Sequence, residues 1–296
     1  MAMLFEELTN QSNLSPTEQV IGAYIVQHPQ MVLPMGVRDL AQAAFASVGA
    51  VMRLCKKLGF DSFNDLKIRL AEEAQGSQTL ERYNADFPAL ANQTAEQIIK
   101  VVASLECRAI RETEALLKVP EFNRVVDELE KAPSVGLYGS GFSYNASLNF
   151  ESMLRRLGYN VTQEADISRS TNWAAVCDPR EFAILVSYSG QSLIHTAKIL
   201  KRRRMRSVSI TSQSDNDLAK LTTYHLSVST IEERFAYTRM GPLCSTLECS
   251  FVLDTLYAAL FSRRYAANCE KLNRVPRLQG VEDLKSIDPA SWQLVK

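Results

Sequence analysis

Histidine is scarce in this chain. Only His28, His195 and His225 occur, and none has a cysteine nearby. The six cysteines (Cys55, Cys107, Cys177, Cys244, Cys249 and Cys269) are scattered and form no C-x-x-C pair. Clustered Cys and His are what a structural zinc site needs, so no metal and no cofactor is expected. Isolated thiols suit a reducing cytosol better than a disulfide framework. Long apolar runs are also missing: none approaches the roughly 18 residues of a membrane span. Residues 1–14 carry acids and polar groups where a secretory signal needs a basic start and an apolar stretch. A cytoplasmic protein with no membrane partner is therefore expected. Nor is there an excess of either charge, since Lys+Arg and Asp+Glu both number 33. A neutral total neither points to nucleic acid nor excludes it, because a small domain can gather its basic residues on one face. The chain has no internal repeat and no low-complexity tract.

The 296 residues, 46% of them apolar, provide material for two domains with real cores. Ser15-Pro16-Thr17-Glu18 is a strong helix start: a capping serine, a proline suited to the first turn, and an acid that completes a capping box. Pro29 ends that helix. A short helix is predicted near Val37–Ala43, a turn near Ala44–Ala46, and a further helix opening at Ser47 and closing before Gly59. Residues 63–73 read as helix, 74–88 as linker, and 94–131 as helix broken near Pro120. Beyond Pro133, short apolar runs alternate with helical patterns, which predicts a parallel sheet of about five strands covered on both faces. Domain bounds of 1–76, 77–132 (linker and connecting helices), 133–262 and 263–296 (C-terminal tail) follow.

On the helix from Ser47, a step of about 100° per residue groups Val51, Leu54, Cys55 and Leu58 on one side. Gly49, Arg53, Lys56 and Lys57 share the opposite side. Two short helices joined by a tight turn, the second presenting small and basic side chains, make a unit that fits the DNA major groove. Ser47 would cap that helix and set its positive end near a phosphate. Geometry alone supports an ordinary helical hairpin with a solvated basic face equally well.

Two turns in the second half carry chemistry. Val135–Tyr138 enters a turn containing Gly139, Ser140 and Gly141, with Ser143 at the start of a helix. Free N–H groups at such a helix start attract anions. The dinucleotide fingerprint's third glycine and downstream acid are absent, which disfavours NAD. Phe182–Val186 likewise enters Ser187-Tyr188-Ser189-Gly190-Gln191-Ser192. Hydroxyls and amides gathered at strand ends suit a phosphate held by neutral donors. Plain Ser/Gly turn chemistry explains one such loop, but two in one sheet less readily.

Residues 135–192 resemble the sugar isomerase (SIS) domain in the G-S-G-x-S turn at 139–143, in Leu157-Gly158, and in the S-x-S-G-x-S loop at 187–192. Residues 15–70 resemble the N-terminal domain of RpiR-type regulators. The shared features are S-x-x-E at 15–18, D-L-A at 39–41, S-x-x-x-V-x-R at 47–53, and K-K-L-G-F-x-S-F at 56–63. The resemblance implies an all-α helix-turn-helix domain followed by a three-layer α-β-α SIS domain. It implies a transcription regulator, not an enzyme, usually a homodimer or homotetramer. Double-stranded operator DNA would be one partner and a phosphorylated sugar the effector. Ser143, Ser187, Ser189 and Ser192 match the family's phosphate-holding serines, and Ser140, Gly141 and Gly190 lie in the same loops. The chain departs from the family at Asp166-Ile167-Ser168, where a histidine is usual, and at Ser245-Thr246, where Ser-Arg is usual. Those positions bear on which sugar is bound.

Other features are set aside. Lys201–Arg206 reads as a solvated basic helix end. Glu232, Glu233 and Glu248 could supply a general base for a sugar-phosphate isomerase, the competing function, but read as charged surface. His195 reads as surface or packing. Trp173 and Tyr237 read as core or interface. A third possibility is a phosphosugar-sensing partner protein with no DNA role.

Overall fold

The computed structural model describes residues 4–9, 14–71, 84–212, 216–232 and 239–278. The chain divides into two compact units, residues 1–84 and 85–296.

The first unit is helical. It contains α1 (Leu4–Thr9), α2 (Pro16–Gln27), α3 (Pro29–Val32), α4 (Val37–Ala43), α5 (Val48–Lys57) and α6 (63–71). The Ser15–Glu18 box closes as the sequence predicts: the Ser15 amide donates to Glu18 Oε2 at 2.8 Å. Pro29 ends α2 and opens the single-turn α3. Leu4, Ile21, Ile25, Val32, Leu40, Val51, Leu54, Leu66 and Leu70 form one buried core. Each such side chain contributes roughly 1.5–3 kcal/mol of burial energy, which is why these short helices hold together.

The second unit opens with α7 (Ala95–Leu116) and α8 (Val119–Lys131). Five strands follow: β1 (Val135–Tyr138), β2 (Val161–Gln163), β3 (Phe182–Val186), β4 (Ser207–Thr211) and β5 (Tyr224–Ser227). They form one parallel sheet in the order β2-β1-β3-β4-β5. The connecting helices are α9 (Phe142–Arg156), α10 (Ile167–Val176), α11 (Ile194–Arg202) and α12 (Asp217–Leu221). The chain then forms α13 (Leu243–Arg263) and α14 (Tyr265–Leu278), the latter within the expected tail.

Strand residues alternate between two cores with the period of a pleated sheet. Phe182, Ile184 and Val186 pack with α8, α9 and α13. Ala183 and Leu185 pack with α10, α11 and α12. Helices on both faces explain why all five residues of β3 are buried. Because α9 and α11 follow adjacent strands but lie on opposite faces, the turns after β1 and β3 diverge. The C-terminal ends of these two strands are thus the topological switch point, the usual ligand position in such sheets.

By length and composition α13 would pass for a membrane span, which revises the expectation drawn from apolar runs. In the structure it is the central helix of a core, with Cys249, Val252, Leu253, Leu256 and Leu260 buried against the sheet and α9.

Candidate functional site

The two serine turns sit where the sheet order reverses. After β1, the chain folds so tightly onto α9 that a Cβ at Gly139 would stand 3.0 Å from the Tyr144 backbone. Gly141 has φ +56°, a left-handed conformation that glycine adopts without penalty. Gly141 is also the N-cap of α9, and no side chain caps that helix. Its first amides are therefore disposed toward an anion. Ser140 and Ser143 are half-buried beside them.

After β3, Ser187 is buried, and its Oγ lies 3.0 Å from Ser192 Oγ. Ser189 Oγ accepts from the Gln191 amide at 3.4 Å. Gly190 has φ +71°, and a Cβ there would stand 2.8 Å from the Asn216 side chain. Asn216 is itself fixed, donating to Thr211 Oγ1 at 2.7 Å and accepting from the Ala219 amide at 2.9 Å. The turn is thus clamped against the start of α12. Both turns supply hydroxyls and backbone amides, neutral donors that bond an anion strongly because the acceptor is charged.

An acidic pair stands near the second turn, and it corrects the surface reading of these residues. Glu232 is 1% exposed and Glu248 0%. Tyr188, between the two serines, donates its hydroxyl to the Glu232 carbonyl at 2.9 Å. The Glu232 carboxylate accepts from the Cys244 amide at 2.6 Å and pairs with Arg239 at 3.2 Å. Glu248 accepts from Ser229 Oγ, while its Oε2 has no partner among the described residues. Burial pushes the Glu248 carboxyl up to about 7, against the lowering effect of the Ser229 hydrogen bond. Glu248 is buried because α13, which carries it, packs against α7, α9 and the sheet, and Glu232 is drawn in against the first turn of α13 through the Cys244 amide. Nothing in the local sequence marks that enclosure.

His195 is exposed on α11, as the sequence suggests. Trp173 is 37% exposed and its indole donates to Glu181, a buried carboxylate. Glu233 and Tyr237 lie outside the described residues. The basic run is only partly solvated: Arg203 donates to the Ala174 carbonyl at 2.9 Å and the Cys177 carbonyl at 2.7 Å, bracing the end of α10.

In the first unit, Ser47 caps α5 by accepting from the Ala50 amide at 3.2 Å. Val51, Leu54 and Cys55 are buried, and Gly49, Arg53, Lys56 and Lys57 are exposed. A Cβ at Gly49 would lie 3.5 Å from Arg53 Nη1, so the guanidinium lies back over the glycine. Lys57 is not free of partners: its Nζ stands 3.1 Å from Glu18 Oε2. That carboxyl is held below its usual range, chiefly by the Ser15 amide and also by Lys57. The turn between α4 and α5 places Phe45 at φ +51° with its side chain 97% exposed.

These two architectures define a helix-turn-helix domain joined to a phosphosugar-type α/β domain, and the comparisons agree. Residues 2–77 match the helix-turn-helix domain of the rpiR family. Residues 128–258 match the SIS domain. The chain is 26% identical over 260 residues to the HTH-type transcriptional regulator TTE0211 of Caldanaerobacter subterraneus, covering 86% of this chain and 88% of that one. It is 25% identical over 268 residues to the HTH-type transcriptional regulator HexR of Pseudomonas aeruginosa, covering 89% and 91%. Its fold is similar to that of the Vibrio vulnificus NanR protein, solved in complex with ManNAc-6P, with a TM-score of 0.56, 21% identity, and 93% and 97% of the two chains covered. The chain thus carries the helix-turn-helix domain of the rpiR family followed by a SIS domain, and the relatives that match most of its length are named as transcriptional regulators.

Proposed function

We propose that this regulator binds operator DNA sequence-specifically, and that a phosphorylated sugar bound in the SIS domain controls its operator affinity. The observation that carries the reading is the pair of serine turns on adjacent strands at the point where helices leave the sheet on opposite faces. Ser140, Gly141, Ser143, Ser187, Ser189, Gly190 and Ser192 would hold the phosphate. Ser47, Gly49, Arg53, Lys56 and Lys57 would face the DNA. In this reading residues 1–76 read DNA, 77–132 connect, 133–262 sense the sugar, and the cytoplasmic chain works as a homodimer or homotetramer.

Two facts support it. The fold neighbour NanR is solved with a phosphorylated amino sugar, and the turns here offer neutral donors with no catalytic group among them. An isomerase base must reach its substrate within hydrogen-bond distance, whereas Glu248 is wholly enclosed.

For a sugar phosphate to act as a switch, it must bind one arrangement of the protein better than another. The first test is a thermal-shift screen of hexose, pentose and amino-sugar phosphates. A true effector raises Tm, and goes on raising it roughly with the logarithm of its concentration above Kd. The rise should vanish in Ser187→Ala/Ser192→Ala. No shift with any of these compounds, or an undiminished shift in the variant, contradicts the reading.

A further inference from the structure

The edge of the sheet opposite the serine turns holds a recess of about 490 Å³. It forms where α8 leads into β1, where β3 begins, and where α11 turns into β4. Four cations line it: Lys131, Arg180, Arg204 and Arg206. Two acids, Glu128 and Glu181, are also in its lining. We infer that this recess is a second ligand site, taking a small phosphorylated metabolite.

The charges are not balanced inside the recess. Glu128 is committed to Arg206, and also accepts from the Tyr224 hydroxyl at 3.4 Å. Glu181 is 1% exposed and turned inward, where Ser134, Tyr138 and Trp173 donate to it. Arg180 pairs with Asp178 at 2.7 Å. Lys131 and Arg204 have no acidic partner among the described residues. Two uncompensated cations beside two braced arginines suit a dianionic group.

The backbone of Arg204 agrees with this. Its φ is +56°, in the left-handed region, where glycine would be the unstrained choice after a helix. The turn is a tight one, with the Met205 amide donating to the Leu200 carbonyl at 3.0 Å. An arginine held there against its preference fits a site that needs its charge. The recess also explains part of the basic run 201–206 that DNA binding by α5 leaves unused. Its concave form and volume suit a small molecule. A DNA backbone would need its cations strung along an extended face, whereas these four gather around one recess whose lining also includes Pro133 and Pro179.

The test uses the full-length chain, with inorganic pyrophosphate and adenosine diphosphate as probes in calorimetric titrations. At least one probe is expected to bind saturably, once per chain. Arg204→Gly relieves the strained φ and Lys131→Ala lies on an exposed helix end, so both variants should fold. Each should weaken binding by about tenfold or more. Ser187→Ala/Ser192→Ala should leave this binding unchanged. The inference is overturned if neither probe saturates, if Arg204→Gly and Lys131→Ala bind as tightly as the parent, if the serine variant abolishes binding, or if duplex DNA of arbitrary sequence displaces the probe.

Discussion

Ser187 Oγ and Ser192 Oγ stand 3.0 Å apart across the turn that follows β3, one hydroxyl donating to the other. The pair is satisfied without ligand, so neither group is stranded. An arriving phosphate can replace this one neutral hydrogen bond with two to a charged acceptor, and those are the stronger kind. Ser187→Ala and Ser192→Ala should each weaken sugar-phosphate binding by roughly 10- to 100-fold, from about 1.5–3 kcal/mol per lost charge-assisted bond. Calorimetric titration with the effector from the thermal screen measures this. Affinities within a factor of about two of the parent would remove these serines from the phosphate site.

The basic residues of α5 should not contribute equally. Lys57 already pairs with Glu18 at 3.1 Å, tying α5 to α2, while Arg53 and Lys56 face solvent. Arg53→Ala and Lys56→Ala are each expected to lower the salt slope of DNA binding by about 0.9 for each phosphate no longer neutralised. Lys57→Ala should change that slope less and cost about 0–1 kcal/mol of stability, since its side chain is 42% exposed. Anisotropy titrations over a salt series separate these outcomes. A larger slope change for Lys57 than for Arg53 would contradict the assignment.

Gly190→Ala tests the clamp on the second turn. The added Cβ would stand 2.8 Å from a buried, doubly bonded Asn216, on a backbone with φ +71°. Strain of this kind costs of order 1–3 kcal/mol. Thermal denaturation should show a lower Tm, and effector binding should weaken with it. Parent-like values in both would mean the turn is not clamped.

Much of the fold is legible in the chain itself. The Ser15–Glu18 box, the Ser47 cap and the spacing of Val51, Leu54 and Cys55 are local signals, and the helices fall where those signals set them. The two serine turns are readable for the same reason, because a strand, a glycine and a hydroxyl lie consecutively. The Glu248 environment is not. Its hydrogen-bond partner Ser229 lies 19 residues away, so only tertiary packing turns an apparent surface acid into a buried one. Arg203 looks solvated in the sequence because its acceptors, the carbonyls of Ala174 and Cys177, also lie far off along the chain. Phe45 breaks the expected turn chemistry, since glycine or asparagine favours its left-handed φ.

Glu248 sets a pH dependence whose sign is definite. Its folded pKa is raised from 4.5 to about 7. Between those values the folded state binds the proton that the unfolded state releases, so stability falls as pH rises from about 4.5 to about 7 and stays lower above. Glu248→Gln keeps a neutral group there. It should flatten that part of the stability–pH curve and raise Tm relative to the parent at about pH 8. Denaturation scans across this range check it. A parent whose Tm shows no Glu248-dependent fall would contradict the burial argument.

In the proposed regulator, one chain couples a phosphosugar site to DNA affinity. The most direct measurement is fluorescence anisotropy of an operator obtained by in vitro selection, titrated with the full-length protein with and without the effector found in the thermal screen. Coupling between sites is typically about 1–3 kcal/mol, so operator affinity should shift by roughly 5- to 150-fold on effector addition. The shift should disappear in Ser187→Ala/Ser192→Ala while effector-free DNA binding persists. Operator affinity that stays the same with saturating effector, or a shift that survives in the serine variant, would contradict this coupling.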